Sequence, residues 1–214
     1  MQIGIVGSGN IGRTVARHLV DAGHEVAISN SRGPDSLAEL VADLGPNARA
    51  ATVEEAASFG EVVLEAIPFG EYESLPSAAL AGTVVVSAAN YFPRRDGEIE
   101  FGGRTQTEVV AEHLADSTVV KAFNTMYYET LRDEARPDAP VEERLVLFVA
   151  GDDEDAKATV AALIEEIGFA PLDVGSLRDG AVVEPGSPIY NEPMTLPEAR
   201  EALAALRDDG AEST

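Results

Sequence analysis

The sequence contains no cysteine, and this absence excludes three kinds of site at once. Disulfide scaffolds, thiol nucleophiles and cysteine-type zinc sites all need that residue. No apolar run approaches the roughly 20 residues that cross a bilayer, and nothing near Met1 resembles a signal peptide. We therefore expect a soluble, cytoplasmic protein that does not act at a membrane.

Positive charge is also scarce. Asp and Glu number 38 against 15 Lys and Arg, which gives a formal net charge of -23, and only Lys121 and Lys157 are lysines. A field of this sign repels phosphate backbones and argues against nucleic acid as a partner. A dispersed acidic surface with almost no lysine is typical of proteins from extreme halophiles. An ordinary acidic protein from a GC-rich genome is the alternative.

Short apolar runs alternate with segments of helical periodicity. The 214 residues, of which 45% are hydrophobic, are enough for one packed α/β domain or for one domain with a small appendage. Strands that alternate with helices predict a Rossmann-type doubly wound, mainly parallel sheet. The predicted strands are residues 2–6, 25–29, 48–52, 62–67, 84–87 and 118–123, and the predicted helices are residues 11–22, 35–44, 53–59 and 105–114.

A further strand, helix and strand are predicted at 145–150, 154–167 and 170–174. This unit either extends the main sheet or forms a small cap. The chain then becomes rich in proline and glycine until a short helix over 196–206. The last residues, 207–214, are expected to be a disordered tail.

The strongest motif is a glycine-rich turn between the first strand and the first helix. It has the form G-x-G-x-x-G in the strand-turn-helix context that a dinucleotide site requires. Gly7 permits the tight turn, Gly9 leaves space for a pyrophosphate, and Gly12 lets helix and strand pack closely. The positive end of the helix would face the phosphates. The alternative is a simple glycine turn; the residues assigned to the cofactor are Gly7, Ser8, Gly9, Asn10, Ile11 and Gly12.

The end of the second predicted strand indicates which dinucleotide binds. An NAD site usually has Asp or Glu about 20 residues beyond the glycines, whereas this chain has Asn30, Ser31 and Arg32 there. Arg32 can pair with a ribose 2′-phosphate, and its two neighbours add neutral donors. The sequence therefore predicts NADP(H) rather than NAD(H). The alternative for Arg32 is a solvated loop arginine.

The loops at the carboxyl ends of the other strands are expected to complete the site, because ligands of open α/β sheets bind at that edge. We assign Ala66, Ile67, Pro68, Ala89 and Asn90 to the cofactor, with the first three as an apolar wall for the nicotinamide. The residues assigned to the substrate are Phe69, Tyr91, Asn124 and Met126.

Hydride transfer between planar heterocycles needs stacking and exclusion of water more than an acid or a base. We therefore assign no catalytic residue, and no metal-ligand spacing is visible. Phe92, Tyr127 and Tyr128 lie in the same loops as Phe69 and Tyr91, although local packing is the alternative for each aromatic ring. Lys121 lies inside an apolar run, and we expect its ammonium group to pair with a carboxylate.

The segment 7–32, followed by Gly33-Pro34, resembles the NADP-dependent oxidoreductases that include the deazaflavin coenzyme F-420:NADP oxidoreductases. It is also similar to the cytoplasmic NADPH-binding domain of membrane ferric and cupric reductases. Segments 62–69, 90–93 and 120–125 extend the resemblance to roughly the first 175 residues. The resemblance implies a homodimer that transfers hydride between NADPH and a small-molecule redox acceptor of the flavin type, a deazaflavin before others.

One segment departs from that family. The deazaflavin enzymes continue after the last strand as a helix that lines the acceptor pocket. Here Pro185, Pro188 and Pro193 prevent a regular helix over 184–193. Two alternatives therefore stay open: an NADPH-dependent flavin or ferric reductase, and a non-enzymatic NADP(H)-binding sensor. We divide the chain into an NADP-binding domain, 1–140, and an extension, 141–206, that contributes to the acceptor pocket or to a dimer.

Overall fold

Eight strands form a single sheet in the computed structural model, which describes residues 1–212 and the side chains of 1–207. The strand order is β3-β2-β1-β4-β5-β6-β7-β8, and every neighbouring pair is parallel except the antiparallel pair β6 and β7. This arrangement confirms the predicted Rossmann-type, mainly parallel sheet. The strands are β1 Gln2–Val6, β2 Glu25–Ser29, β3 Ala48–Ala50, β4 Val62–Glu65, β5 Val84–Ser87, β6 Thr118–Lys121, β7 Val146–Gly151 and β8 Ala170–Gly175.

Helices cover both faces of the sheet. The second predicted helix begins later than expected, because Pro34–Leu37 forms a 3₁₀ turn. The last helix continues beyond residue 206, and the expected tail at 207–214 falls in part on residues 213 and 214, outside the described residues. The helices are α1 Asn10–Asp21, α2 Ala38–Leu44, α3 Val53–Phe59, α4 Ser77–Leu80, α5 Pro93–Asp96, α6 Gln106–His113, α7 Tyr128–Asp133, α8 Glu154–Glu166 and α9 Leu196–Glu212.

The central strands are apolar throughout because both of their faces are buried. Successive side chains of a strand point to opposite faces. In β4, Leu64 therefore joins the core under α1 and α8, while Val63 joins the core on the other face, with Leu80 and Leu114. Burial of each such side chain contributes about 1.5–3 kcal/mol. The sheet is thus held rigid from both sides, and the loops at its carboxyl edge start from fixed points.

The unit β7-α8-β8 extends the main sheet, which decides between the two arrangements that the sequence left open. After β8 the chain returns across the carboxyl edge of the strands that precede β7 in the sequence. Thr105 donates its hydroxyl to the carbonyl of Leu177 at 3.1 Å, and the backbone N–H of Gln106 donates to the Glu184 carboxylate at 2.8 Å. These bonds anchor the proline-rich segment beside the ends of β5 and β6.

Charged groups are buried beneath that edge. Glu65, at the end of β4, accepts hydrogen bonds from the Ser87 hydroxyl at 2.8 Å and from the backbone N–H of Ile67 at 3.2 Å. Lys121, at the end of β6, donates to the carbonyl of Ala89 at 3.1 Å. The expected ion pair of Lys121 was therefore wrong: within residues 1–212 it has no carboxylate partner at salt-bridge distance.

Carboxylates nonetheless act on Lys121 through space. Burial lowers the pKa of Lys121 to about 8, while the charges of Glu184 and Glu65 oppose that shift. Burial also raises the pKa of Glu65 and of Glu184, and the Lys121 charge works against both increases. The ammonium group thus compensates two acids while it holds the Ala89 loop.

Removal of this charge gives a pH-dependent test. We expect Lys121→Met to lower the free energy of unfolding by about 3 kcal/mol near pH 7.5, because it leaves buried carboxylates uncompensated. An acid whose folded pKa is raised loses stability as the pH rises above its unfolded value, so the deficit should shrink near pH 5. Denaturant unfolding of both proteins at the two pH values measures it. If the free energy of unfolding falls equally at both pH values, the loss comes from packing of the lysine stem alone.

Candidate functional site

The turn between β1 and α1 is shaped by glycines in three different ways. Gly7 has a φ of 112°, and a Cβ there would collide with the carbonyl of Ala66. A Cβ on Gly12 would collide with the carbonyl of Gly7. Gly9 has an ordinary φ of -67°, and a Cβ there would meet no atom within 4 Å. The first two glycines are needed by the fold, whereas Gly9 leaves an open space in front of the helix.

Helix α1 begins without a side-chain cap. In α3 the hydroxyl of Thr52 accepts from the backbone N–H of Glu55, whose carboxylate accepts in return from Thr52, and α6 begins in the same way. The residue that precedes α1 is Gly9, and it has no side chain to offer. The first N–H groups of α1 and the positive end of its dipole therefore face the open space, as a phosphate site requires.

The loop after β2 is preorganised by its own side chains. The amide of Asn30 donates to the hydroxyls of Ser8 at 3.1 Å and Ser36 at 3.0 Å, and its oxygen accepts from the backbone N–H of Arg32 at 2.9 Å. In the part of the chain that the structure describes, the Arg32 guanidinium has no hydrogen bond or ion pair. An exposed cation without a partner fits both the predicted 2′-phosphate site and the alternative of a solvated loop arginine.

Two cavities meet at the carboxyl edge of the sheet. The β2-side cavity, of about 870 Å³, includes Ser8, Asn30, Ser31 and Arg32 in its lining. The β6-side cavity, of about 510 Å³, includes Asn10, Ile11, Ala89, Asn90, Asn124 and Met126. Both are lined by Gly9, Ala66, Ile67 and Pro68. The two cavities thus form one continuous cleft, and it contains most of the residues that the sequence assigned to the site.

Three of the assigned residues, Gly12, Phe69 and Tyr91, line neither cavity. Gly12 lies behind the turn, where a Cβ would collide with the carbonyl of Gly7. The Phe69 ring is buried, with its centroid 5.4 Å from that of Tyr72 and 5.8 Å from that of Tyr91, and the Tyr91 hydroxyl donates to the carbonyl of Gly97 at 2.7 Å. Both rings pack against the loops on the side away from the cavities. This is the alternative interpretation of these aromatic residues, in which they serve local packing.

Sequence reasoning missed Arg13 and Tyr190. Arg13 lines the β2-side cavity, and its guanidinium donates to the carbonyl of Ser8 at 3.1 and 3.3 Å. Its position one helical turn after Gly9 is a signal that could have found it. Tyr190 lines the β6-side cavity from the proline-rich segment. No local pattern reveals that contact, because the chain returns from 100 residues away.

Two asparagines join the loops around the β6-side cavity. The Asn90 amide donates to the Asn124 carbonyl at 2.8 Å, and the Asn124 amide donates to the Asn90 side-chain oxygen at 3.2 Å and to the Val183 carbonyl at 2.7 Å. Just before Asn124, Phe123 has a φ of 62°. Such a conformation costs about 1–3 kcal/mol and is found most often at functional sites.

The charge of the β6-side cavity differs from that of the chain. Among the residues whose side chains are described, no Asp or Glu lines it, although the whole sequence carries 38. Its one charged lining residue is Arg95, which donates to the Asn90 carbonyl at 2.5 Å and pairs with Asp96 at 2.7 Å. A neutral or anionic planar molecule can therefore enter without repulsion. Among residues 1–212, no cluster of His, Asp or Glu could hold a metal ion.

Comparisons with known proteins agree with this geometry. Residues 2–91 match the family model described as NADP oxidoreductase, coenzyme F420-dependent. A structure of the hypothetical protein SMa0349 from Sinorhizobium meliloti is 33% identical, with a TM-score of 0.79 over 91% of this chain and 95% of that one. A protein from Arthrobacter sp. FB24 that is assigned as an F420-dependent NADP-reductase is 26% identical, with a TM-score of 0.71 over 100% of this chain and 96% of that one.

A curated relative, metalloreductase STEAP3 from Rattus norvegicus, is 34% identical over 185 residues, which are 86% of this chain and 36% of that protein. The chain thus spans about a third of the length of the curated relatives that it matches. In the described residues, no helix combines the length and the apolar character that a membrane crossing needs. Over residues 2–91 the chain thus matches the NADP oxidoreductases described as coenzyme F420-dependent, and its structural relatives share its fold.

Proposed function

We propose that the chain transfers hydride between NADPH and a flavin-like acceptor, a deazaflavin of the coenzyme F420 type. One observation carries the proposal: a single cleft joins an uncapped helix end to a cavity that has aromatic walls and no carboxylate. The first feature suits a nucleotide phosphate, and the second suits a planar acceptor. The match of residues 2–91 to an oxidoreductase family model supports the same conclusion.

At the nucleotide end, the residues of this chain would bind two kinds of phosphate. The N–H groups at the start of α1 would hold the pyrophosphate in the space in front of Gly9. Arg32 would pair with the 2′-phosphate, and Asn30 and Ser31 would add hydrogen bonds. Arg13 adds a second positive charge to the lining of the same cavity. These contacts support NADP(H) over NAD(H).

At the acceptor end, the residues would orient two rings and exclude water. When bound, NADPH supplies a hydride from its nicotinamide ring. Ala66, Ile67 and Pro68 would form the apolar wall behind that ring. Tyr127 is 61% exposed and Phe92 is 39% exposed, although both are aromatic and line the β6-side cavity. Exposed aromatic faces at the mouth of a cavity suit a stacked heterocycle.

A second candidate is a reductase of ordinary flavins or ferric chelates. It is favoured by the 34% identity to a metalloreductase. The two candidates share the nucleotide end and differ only in the acceptor. The division at residue 140 and the homodimer stay predictions. Of the two roles predicted for the extension 141–206, we favour the contribution to the acceptor pocket, because Tyr190 lines the β6-side cavity.

The nucleotide assignment is tested by Arg32→Ala. Loss of charged hydrogen bonds should weaken NADPH binding by about 10- to 100-fold and leave NADH binding unchanged. Calorimetric titration of both nucleotides measures the effect. Arg49→Ala is the matched control, because it makes the same change in net charge while its guanidinium lies over the Phe59 ring, away from the cleft. Equal losses for NADPH and NADH, or an equal effect of the control, would contradict the assignment.

A panel of four candidate acceptors tests which molecule receives the hydride. We expect anaerobic oxidation of NADPH to be faster with coenzyme F420 than with FMN, riboflavin or ferric citrate, because residues 2–91 match the family described as coenzyme F420-dependent. Absorbance at the NADPH band measures the rates, in buffers of low and high potassium chloride. A ferric chelate or an ordinary flavin as the fastest acceptor would favour the second candidate. Tight NADPH binding with no oxidation by any acceptor would favour a sensor and reject both.

A further inference from the structure

Tyr190 is held at the β6-side cavity by a specific hydrogen bond. It lies in the segment between β8 and α9 and is half-buried. Its hydroxyl oxygen accepts from the Asn90 amide at 3.2 Å, and the second N–H of that amide is used by the Asn124 carbonyl at 2.8 Å. Asn90 therefore fixes the oxygen of Tyr190 through a side chain that the neighbouring loop holds in turn.

Among the described residues, no hydrogen bond donated by that hydroxyl is found. A phenol has one O–H to donate and accepts through its oxygen. The Tyr190 oxygen accepts from Asn90, and the side chain of Asn191 lies close enough to lower the pKa of the phenol against the effect of burial. No carboxylate lines the cavity to take the proton. The O–H is thus the free hydrogen-bond donor of a tyrosine whose ring already faces the cavity.

We propose that the Tyr190 hydroxyl donates a hydrogen bond to the acceptor, at the carbonyl oxygen or ring nitrogen that gains negative charge as the acceptor is reduced. The inference rests on the proposed function and names a specificity determinant of the same site. The acceptors it selects are flavin-type heterocycles, in which such an atom is conjugated to the ring atom that receives the hydride. Tyr190 would touch the acceptor, and Asn90 would act as the positioning residue.

The chemistry of the step fits a donor that keeps its proton. The reaction moves two electrons and one hydrogen from nicotinamide C4 to a ring atom of the acceptor, so that NADPH is oxidised to NADP⁺ and the acceptor becomes an anion that water protonates. A hydrogen bond that strengthens as this charge develops lowers the barrier. Burial raises the pKa of Tyr190, so the phenol stays protonated at neutral pH.

Tyr190→Phe tests the proposal, because it keeps the ring and removes the hydroxyl. We expect the affinity for oxidised F420, measured by fluorescence quenching with NADP⁺ present, to fall about tenfold. The kcat/KM for F420 should fall about 10- to 100-fold, with a decrease in kcat. The Kd of NADPH and the thermal midpoint should not change. Tyr72→Phe is the control, because its hydroxyl contacts only the adjacent Glu73, at 3.3 Å.

The outcomes separate this inference from the function it rests on. A wild-type protein that binds NADPH but neither binds nor reduces F420 or FMN would overturn the proposed function, and the role of Tyr190 with it. A wild-type protein that reduces F420, with Tyr190→Phe unchanged in quenching and in kcat/KM, would overturn the inference alone. Parallel losses in NADPH affinity and thermal midpoint would also overturn it, because they would indicate a structural role.

Discussion

The site depends on a helix end that the chain itself leaves uncovered. Helices α3 and α6 begin with reciprocal Thr and Glu caps, whereas α1 begins at Gly9 with nothing but backbone. Its first N–H groups have no partner within the helix, and its positive dipole end favours an anion. In a chain with a formal net charge of -23, the start of α1, Arg13 and Arg32 place positive charge in the β2-side cavity, which Glu54 and Glu71 also line. A phosphate ligand satisfies the helix end and Arg32.

The rest of the cleft follows from the sheet. Parallel strands bring the loops after β1, β4, β5 and β6 to one edge, and the cores on both faces hold those strands in place. Beneath the edge, Lys121 holds the Ala89 carbonyl and compensates the buried Glu65 and the half-buried Glu184. The returning segment then adds Tyr190, which closes the acceptor side with a hydroxyl fixed by Asn90. Stability and ligand geometry thus depend on the same loops.

Local patterns in the sequence were enough for the backbone of the glycine-rich turn. The glycine spacing predicted that turn because it depends on residues close together in the chain, and the role of Arg32 stays a prediction. The loop aromatics were less certain, since alternation does not tell which side of a loop a ring takes, and Phe69 turned inward. Lys121 donates to a carbonyl and not to a carboxylate. Its partner depends on tertiary packing, which the local sequence does not reveal.

The acceptor half depends on contacts over long distances in the chain. Tyr190 meets Asn90 across 100 residues, and that meeting requires β7 to enter the sheet antiparallel to β6. The sequence predicted the strand-helix-strand unit but left open whether it extends the sheet. The prolines correctly excluded a regular helix over 184–193, and part of that segment lies against the cleft. Its composition alone does not indicate where it packs.

The central claim is that the space in front of α1 is a phosphate site and not simply a tight turn. The most direct test is NADPH titration of Gly9→Ala, together with thermal unfolding. A Cβ at this position meets no protein atom and has an allowed φ, so the account predicts an unchanged melting midpoint and NADPH binding weakened at least tenfold. Wild-type affinity for NADPH in a stably folded Gly9→Ala protein would contradict it.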